Sequence, residues 1–192
     1  MAEDPPITEL LAAWRGGDDQ ARIALFEAVY DDLHAMAYRR QRHVRGDHTM
    51  RPTALVHELY LKLTQQAAVS ARDQGHFFAV AARAMRHILI DYVRKWDRRQ
   101  QVTLGSEQTG RLDMPAHEVQ ALGEALEKLR AYGERLVQVV EMNYFAGLTY
   151  DEIADAMGVT KRTITRDMAK AKALLRELLE EGAGAKSSNE PS

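Results

Sequence analysis

The apolar positions of this chain recur every three or four residues in several separate stretches, a spacing that predicts amphipathic helices. In the first stretch they are Ile7, Leu10, Leu11 and Trp14, and two glycines end it. Further helices are predicted over residues 18–41, from 53 to a loop at 66–75, and over 76–99, 118–129, 134–145, 149–157 and 160–180. No stretch alternates apolar and polar residues as a half-buried strand would. The pattern therefore predicts an all-α fold.

Two long helices are each predicted to bury one stripe of side chains. In the helix over residues 18–41 the inner residues are Ile23, Phe26, Val29, Tyr30, Leu33, Met36 and Ala37. In the helix over residues 76–99 they are Phe77, Val80, Ala81, Ala84, Ile88 and Leu89.

The periodic pattern stops over residues 100–117. Two glycines and a proline lie there among polar residues, a composition typical of a linker. We therefore predict two helical domains, residues 7–99 and 118–180, joined by a flexible linker. Residues 1–6 and the Gly-, Ala-, Ser- and Pro-rich residues 181–192 are predicted to be disordered.

Charge is unevenly distributed along the 192 residues, although the net charge is only −2. Basic residues cluster in 39–51, 83–99 and 161–176, and local basic faces attract polyanions whatever the total charge is. The sequence has no cysteine, no apolar run approaching the ~20 residues that cross a bilayer, and no signal-peptide pattern. We expect a cytoplasmic protein without membrane contact.

Motifs for covalent chemistry or metal binding are absent from the sequence. His57-Glu58 lacks the second histidine of a zinc-protease motif, and His43 and His48 lie in a basic loop where we expect them to be solvated. Neither a phosphate-binding glycine loop nor a nucleophile elbow occurs. We therefore expect no enzyme activity, no catalytic residue, no cofactor and no metal site.

The most informative motif lies near the C-terminus, where two predicted helices meet at Gly158. Thr149 and Glu152 have the spacing of a capping box at the start of the first helix, and Thr160 is placed to cap the second. This is the form of a helix-turn-helix, whose second helix reads the major groove of DNA. The residues predicted to face DNA are Lys161, Arg162, Thr163, Thr165, Arg166 and Lys170. An ordinary pair of packed helices with a solvated basic face is the alternative.

The helix over residues 76–99 ends in basic residues interleaved with aromatic ones. Aromatic rings stack on unpaired bases while arginine and lysine hold phosphates, a combination that suits single-stranded DNA. The candidates in this segment are Tyr92, Arg94, Lys95 and Trp96. The alternative is that Tyr92 and Trp96 only pack on a neighbouring helix.

Taken together, these motifs resemble the sigma-70 family of bacterial RNA polymerase sigma factors, in particular its two-domain extracytoplasmic-function (ECF) class. Residues 55–63, LVHELYLKL, are similar to the polymerase-binding helix of region 2.2 in that family. Residues 77–99, which contain DYVRK near their end, resemble regions 2.3 and 2.4. Residues 144–154, YFAGLTYDEIA, resemble the opening of region 4.2.

The resemblance implies a transcription initiation factor whose partners are core RNA polymerase and promoter DNA. The first domain (region 2) would bind the clamp of the β′ subunit and melt the −10 element; the second (region 4) would bind the −35 duplex and the β flap. The implied polymerase-binding residues are Leu55, Glu58, Leu59 and Lys62. The family pattern adds Arg72, Asp73, Gln74, Arg83 and Arg86 as candidates for the −10 pocket. The predicted linker spans at most ~60 Å when extended, the length of about 18 base pairs.

One departure from the family pattern suggests regulation. The family usually has an acidic residue just before the Leu-Val of the polymerase-binding helix, and here that residue is Ala54. Phosphorylation of Thr53 would add about −1.5 to −2 charges at this helix N-terminus, where the helix dipole favours them. The hypothesis makes a Ser/Thr kinase a partner, as in kinase-linked ECF groups; the other regulator we consider is an anti-sigma factor. The alternative is that Thr53 only caps the helix.

A second departure is Asp167, where the family commonly has a basic or small polar residue. We expect this carboxylate either to accept a hydrogen bond from a cytosine amino group or to pair with Arg166 or Lys170.

Two other functions compete with the sigma-factor interpretation. One is a one-component helix-turn-helix regulator that binds duplex DNA without polymerase. The other is a degenerate sigma-like protein that occupies polymerase without starting transcription. The aromatic and basic segment favours a sigma factor, because a repressor has no need to stack unpaired bases.

Overall fold

The computed structural model describes residues 6–43, 50–67, 71–102 and 116–187, and the regular structure within these ranges is entirely helical. The helices are α1 (Ile7–Arg15), α2 (Asp19–His43), α3 (Pro52–Lys62), α4 (Gln74–Val102), α5 (Ala116–Leu129), α6 (Glu134–Val140), α7 (Tyr150–Met157) and α8 (Lys161–Ser187). Two π-helical turns, Leu63–Ala67 and Glu141–Phe145, follow α3 and α6, and a 3-10 turn, Arg130–Tyr132, follows α5. The all-α prediction is confirmed.

Helices α1 to α4, which correspond to the first predicted domain and are called the first module, pack around Phe26. Its ring meets the rings of Trp14, Tyr60 and Phe77 edge to face, with centroids 6.1, 4.6 and 6.4 Å away. Each edge-to-face pair of this kind stabilises the fold by about 0.5–1.5 kcal/mol beyond the effect of the apolar area that it buries. This cluster joins α1, α2, α3 and α4 into one bundle.

The predicted stripe of α2 is correct for five of its seven residues. Phe26, Val29, Leu33, Met36 and Ala37 are buried, whereas Ile23 and Tyr30 are 42% and 49% exposed. The error has a simple cause. These two residues flank the stripe, where the described helices leave them partly uncovered.

Helices α5 to α8, which correspond to the second predicted domain, are called the second module, although their buried residues belong to the same hydrophobic cluster as those of α1 to α4. All four helices contribute buried residues, and those of α8 include Ile164, Met168, Ala171 and Leu175. Leu136, Val137, Val139 and Val140 fill the space beneath α8 from the short helix α6.

Helices α4 and α8 extend into segments that we predicted not to be helical. Helix α4 continues to Val102, into the predicted linker, and α8 continues to Ser187, into the predicted disordered tail. The connection from Val102 to Ala116 therefore spans at most ~50 Å when extended, less than the ~60 Å expected from the sequence. Residues 1–5, 103–115 and 188–192, on which the other predictions of disorder and flexibility fall, lie outside the described residues.

The two modules contact each other along α4. Of its six predicted inner residues, Phe77, Ala81, Ala84 and Ile88 are buried, and Val80 and Leu89 are half-buried. A second face, not predicted, meets α7, the π turn after α6, and α5. Among the described helices, none combines the length and apolar character that crossing a membrane requires.

Candidate nucleic-acid interface

The turn between α7 and α8 has the geometry that its sequence predicts. The Thr149 backbone N–H donates to Glu152 Oε2 at 2.7 Å, and the Glu152 N–H donates to Thr149 Oγ1 at 3.3 Å, so the capping box is complete. Gly158 ends α7 with φ 62° and ψ 34°, a left-handed conformation that suits glycine. The angle between the two helices is therefore set by local chemistry.

The start of α8 is fixed by a cap and by its buried side. The Thr163 N–H donates to Thr160 Oγ1 at 3.2 Å, as predicted for a capping residue. Ile164 is fully buried and Met168 is 1% exposed, so the opposite side of the first two turns must face solvent. The positions of the apolar residues in the sequence therefore predict correctly which side of α8 faces solvent.

The outward side of α8 carries the predicted basic face. Five of the six predicted DNA contacts are exposed, namely Lys161, Arg162, Thr165, Arg166 and Lys170. Thr163 is half-buried, and its hydroxyl shares a hydrogen bond of 2.9 Å with that of Thr160. Its side chain is therefore part of the helix cap. Lys161 Nζ lies 2.7 Å from Asp151 Oδ2, an exposed pair that a phosphate can displace.

Asp167 does not belong to this face. Its side chain is 6% exposed and accepts a hydrogen bond from Arg135 Nε at 2.6 Å, while Arg166 Nε is 3.8 Å away. The prediction that it accepts a bond from cytosine is therefore wrong for this arrangement, because the carboxylate points inward. Its role is to hold α6 against α8, the helix that carries the basic face.

The basic end of α4 is largely accessible. Arg83, Arg94 and Lys95 are exposed, and Tyr92 is half-buried. Arg94 Nη1 lies 3.9 Å from Asp91 Oδ1, a loose pair on the surface. The side chain of Trp96, the remaining candidate of this segment, lies outside the described residues.

The start of α4 holds the remaining candidates for the −10 pocket. Arg72 and Gln74 are exposed. Asp73 caps the helix, because its Oδ1 accepts the N–H of His76 at 2.8 Å. This assigns Asp73 a structural role in addition to the one implied by the family pattern.

Arg86 is not accessible to DNA in this structure. It is 1% exposed, and its Nη2 donates to Glu127 Oε1 at 2.6 Å. Its Nε lies 2.9 Å from Glu141 Oε1, close enough for an ion pair although the N–H does not point along that line. Both carboxylates belong to the second module. The prediction that Arg86 contacts the −10 strand is therefore wrong for this arrangement.

The groups around Arg86 have displaced pKa values. Burial raises the pKa of Glu141 to about 7, against the opposing effect of the Arg86 charge. The hydrogen bond from Arg86 lowers the pKa of Glu127. Burial, together with the charge of Arg86, lowers the pKa of His87 to about 4.

Of the four predicted polymerase contacts in α3, two are buried and two are accessible. Leu55 and Leu59 are buried in the core of the first module, so they hold α3 in place and are not available to a partner. Glu58 is exposed and Lys62 is half-buried. The accessible polymerase-binding candidates are thus reduced to the two charged residues.

Thr53 is exposed in the first turn of α3. Helix α3 begins at Pro52, so the N-cap position is held by Arg51, which makes no side-chain capping bond. The alternative that Thr53 caps the helix is therefore wrong. No acidic residue lies in this first turn.

Two residues of the junction between the modules escaped the sequence analysis. The first is Arg39, whose Nη1 donates to Glu152 Oε1 and Oε2 at 2.8 and 2.9 Å. The second is Glu141, whose Oε1 lies 2.9 Å from Arg86 Nε. A signal for the second existed. Glu141 follows Leu136, Val137, Val139 and Val140 in the sequence, and an acidic side chain on a buried stripe requires a polar partner.

Within the described ranges, no group of three or more His, Asp or Glu side chains is arranged to hold a metal ion. The chemistry that the exposed groups offer is the binding of phosphates and base edges by arginine, lysine and threonine.

Comparison with known proteins gives one finding. A family profile described as "ECF sigma factor" matches residues 4–181, a range that includes both modules. No curated protein matches the chain.

Proposed function

Because the chain belongs to the family of ECF sigma factors, we propose that its two modules divide promoter recognition between them. As a sigma factor it acts in transcription initiation, and its partners are core RNA polymerase and promoter DNA. In our proposal the second module binds the −35 duplex and the β flap. The first binds the β′ clamp and the −10 element, and the chain works in the cytoplasm, where polymerase is.

The exposed basic face of α8 carries this proposal. Arg162 and Arg166 project from the first two turns of the helix, where a helix-turn-helix reaches base edges. Arginine makes bidentate hydrogen bonds to guanine, worth about 1–3 kcal/mol of discrimination each. Lys161 and Lys170 lie beside them and hold phosphates, which fixes the register on the duplex.

The first module has a separate surface for the −10 element. Arg94 and Lys95 are exposed at the end of α4 beside the half-buried ring of Tyr92. An extruded −10 base loses a few kcal/mol of stacking and pairing, which aromatic stacking and phosphate contacts offset. Arg72 and Arg83 contribute further exposed positive charge.

Polymerase binding by α3 rests on the exposed side of that helix. Glu58 and Lys62 are the charged candidates for the clamp contact, while Leu55 and Leu59 position the helix from below. We expect Glu58→Ala to weaken core binding and Leu59→Ala to destabilise the first module.

We further propose that phosphorylation of Thr53 by a Ser/Thr kinase increases affinity for polymerase. Thr53 is exposed, Arg51 leaves the helix N-terminus uncapped by a side chain, and the first turn has no acidic group. A negative charge near a helix N-terminus stabilises the helix by about 0.3–1 kcal/mol in the free and the bound chain alike. The gain in affinity therefore comes from direct contact with a basic polymerase surface. An anti-sigma factor is a second route of control.

The phosphorylation hypothesis is tested with Thr53→Asp, Thr53→Asn and Thr53→Ala. Asparagine is the matched control, because it has the shape of aspartate without the charge. We expect only Thr53→Asp to bind core polymerase more tightly, and the gain to shrink at high salt. Equal binding by all three variants would remove the hypothesis.

The division of labour is tested on promoter DNA selected from a randomised pool by core polymerase in the presence of the chain. We expect Arg166→Ala to lower affinity for the upstream duplex without changing strand opening downstream. Lys95→Ala should do the reverse, measured as permanganate reactivity of thymines near −10. If the chain instead binds the duplex with the same affinity with and without polymerase, and no strand opening occurs, it is a one-component regulator.

A further inference from the structure

One face of α4 is covered by the second module at three levels along the helix. Near the start of α4, a Cβ atom on Gly75 would overlap the backbone carbonyl oxygen of Ala156 in α7. In the middle, Arg86 lies between Glu127 and Glu141. Further along, a Cβ atom on Gly123 of α5 would lie 3.2 Å from Ile90 Cδ1. The two modules therefore fit each other closely in shape and in charge.

The central ion pair is the most demanding part of this junction. Arg86 and Glu141 are each 1% exposed, and they come from different modules. A charge buried without a partner is strongly unfavourable, so Arg86 requires the carboxyl groups of the second module in this position. A second pair, Arg39 with Glu152, joins α2 to α7 at the edge, with N–O distances of 2.8 and 2.9 Å.

The contact at Gly75 holds the helix-turn-helix beside part of the surface assigned to the −10 element. Gly75 follows Arg72 and Gln74, which are candidates for the −10 pocket, and it touches α7, the first helix of the helix-turn-helix. The −35 and −10 positions are about 25 base pairs apart, which is roughly 85 Å of duplex at ~3.4 Å per base pair. Two compact modules of this size that touch each other have centres only about 30 Å apart, so they cannot occupy both elements at once.

We propose that the free chain is held in this closed form, and that the second module must leave α4 before the chain can engage a promoter. Opening exposes Arg86 and the covered face of α4. The connection from Val102 to Ala116 permits it, since it can extend to ~50 Å. The need for opening rests on the proposed function, whereas the closed form of the free chain does not.

The closed form is tested by measuring one distance in the free full-length chain. The sequence has no cysteine, so Ala28→Cys in α2 and Ala173→Cys in α8 introduce two unique, exposed sites for spin labels. Pulsed electron paramagnetic resonance then reports the distance between the modules. We expect a single narrow distribution. A broad distance distribution in the chain that carries only the two labelled cysteines would overturn the proposal.

Two substitutions should open the chain, and one matched control should not. Gly75→Ala adds a methyl group that the closed form cannot hold, while Gly75 itself has no left-handed backbone that alanine would strain. Arg39→Ala removes the edge ion pair between the modules. Arg135→Ala also removes an arginine–carboxylate pair, but one that lies within the second module.

We expect Gly75→Ala to broaden the distribution and move it to longer distances, Arg39→Ala to do so in part, and Arg135→Ala to leave it narrow. Helicity by circular dichroism establishes that each variant is folded. A narrow, unshifted distribution in both Gly75→Ala and Arg39→Ala would contradict the closed form.

Addition of core polymerase to the labelled chain tests the opening step. We expect the narrow peak to be replaced by a longer distance on saturation with core. An unchanged short distance in a chain that has bound core would refute the opening step. Failure to bind core at all would refute the proposed function and the opening step with it, and the measurements on the free chain would still decide the closed form.

Discussion

Glu141 offers a quantitative test of the buried junction, through the pH dependence of stability. Its pKa is raised from an ordinary value of 4.5 to about 7, chiefly by burial. Between these two pH values the folded chain keeps a proton on Glu141 that the unfolded chain releases. The free energy of unfolding must therefore fall as pH rises from 4.5 to 7, and the loss is complete above 7.

The size of this effect follows from the same displacement. A pKa difference of one pH unit corresponds to about 1.4 kcal/mol, so a pKa moved from 4.5 to about 7 corresponds to roughly 3 kcal/mol. Other groups of the junction also titrate, notably His87 and Glu127. Their contributions cancel in the difference between the wild-type chain and Glu141→Gln, since both chains contain them.

The assay is urea unfolding followed by circular dichroism, at intervals from pH 4.5 to 8, for wild type and Glu141→Gln. We expect the wild-type free energy of unfolding, relative to that of the variant, to fall by about 3 kcal/mol between pH 4.5 and 7. Parallel curves across this range would refute the placement of Glu141 in the buried junction.

A second variant supplies a control of opposite sign. The pKa of Glu127 is lowered, first by its hydrogen bond from Arg86. Its stabilising effect is present above its ordinary pKa and is lost as pH falls through the lowered one. The wild type should therefore gain stability relative to Glu127→Gln as pH rises through the acid range, opposite to the trend for Glu141→Gln.

Three further predictions concern the second module. Thr149→Ala removes the capping box and should cost about 0.5–2 kcal/mol of stability in urea unfolding; an unchanged midpoint would contradict the cap. Asp167→Ala should cost about 1–3 kcal/mol and leave −35 base preference unchanged; altered preference at constant stability would restore a DNA contact. Arg166→Ala should lose about 1–3 kcal/mol of −35 affinity with relaxed selectivity, and the exposed Arg176→Ala should not; equal losses would reassign Arg166 to the backbone.

The helix-turn-helix could be predicted from sequence because its determinants are local. The capping box joins residues three apart, the turn needs only Gly158, and the stripe of α8 follows one helical period. Each of these features is complete within about 30 residues of chain, so no knowledge of the rest of the fold was needed. The orientation of Arg162 and Arg166 then followed from Ile164 facing inward.

The second face of α4 could not be predicted, because it depends on contacts distant in the sequence. From the sequence, Gly75 is predicted to lie in a loop and Arg86 to bind DNA. In the structure Gly75 contacts α7 and Arg86 lies beside Glu141. The same is true of Asp167, whose partner Arg135 lies in a different helix. A charged residue in a local pattern is compatible with a DNA contact or with a buried pair, and only tertiary structure distinguishes the two.

The measurement that tests the sigma-factor assignment most directly is transcription from a random-sequence DNA library by purified bacterial core polymerase, with and without the chain. We predict transcripts with defined start sites that appear only when the chain is present and share two upstream elements, and we expect Arg166→Ala to relax the sequence preference at the upstream one. No chain-dependent transcript from any template, with either the wild type or Thr53→Asp, would contradict the account.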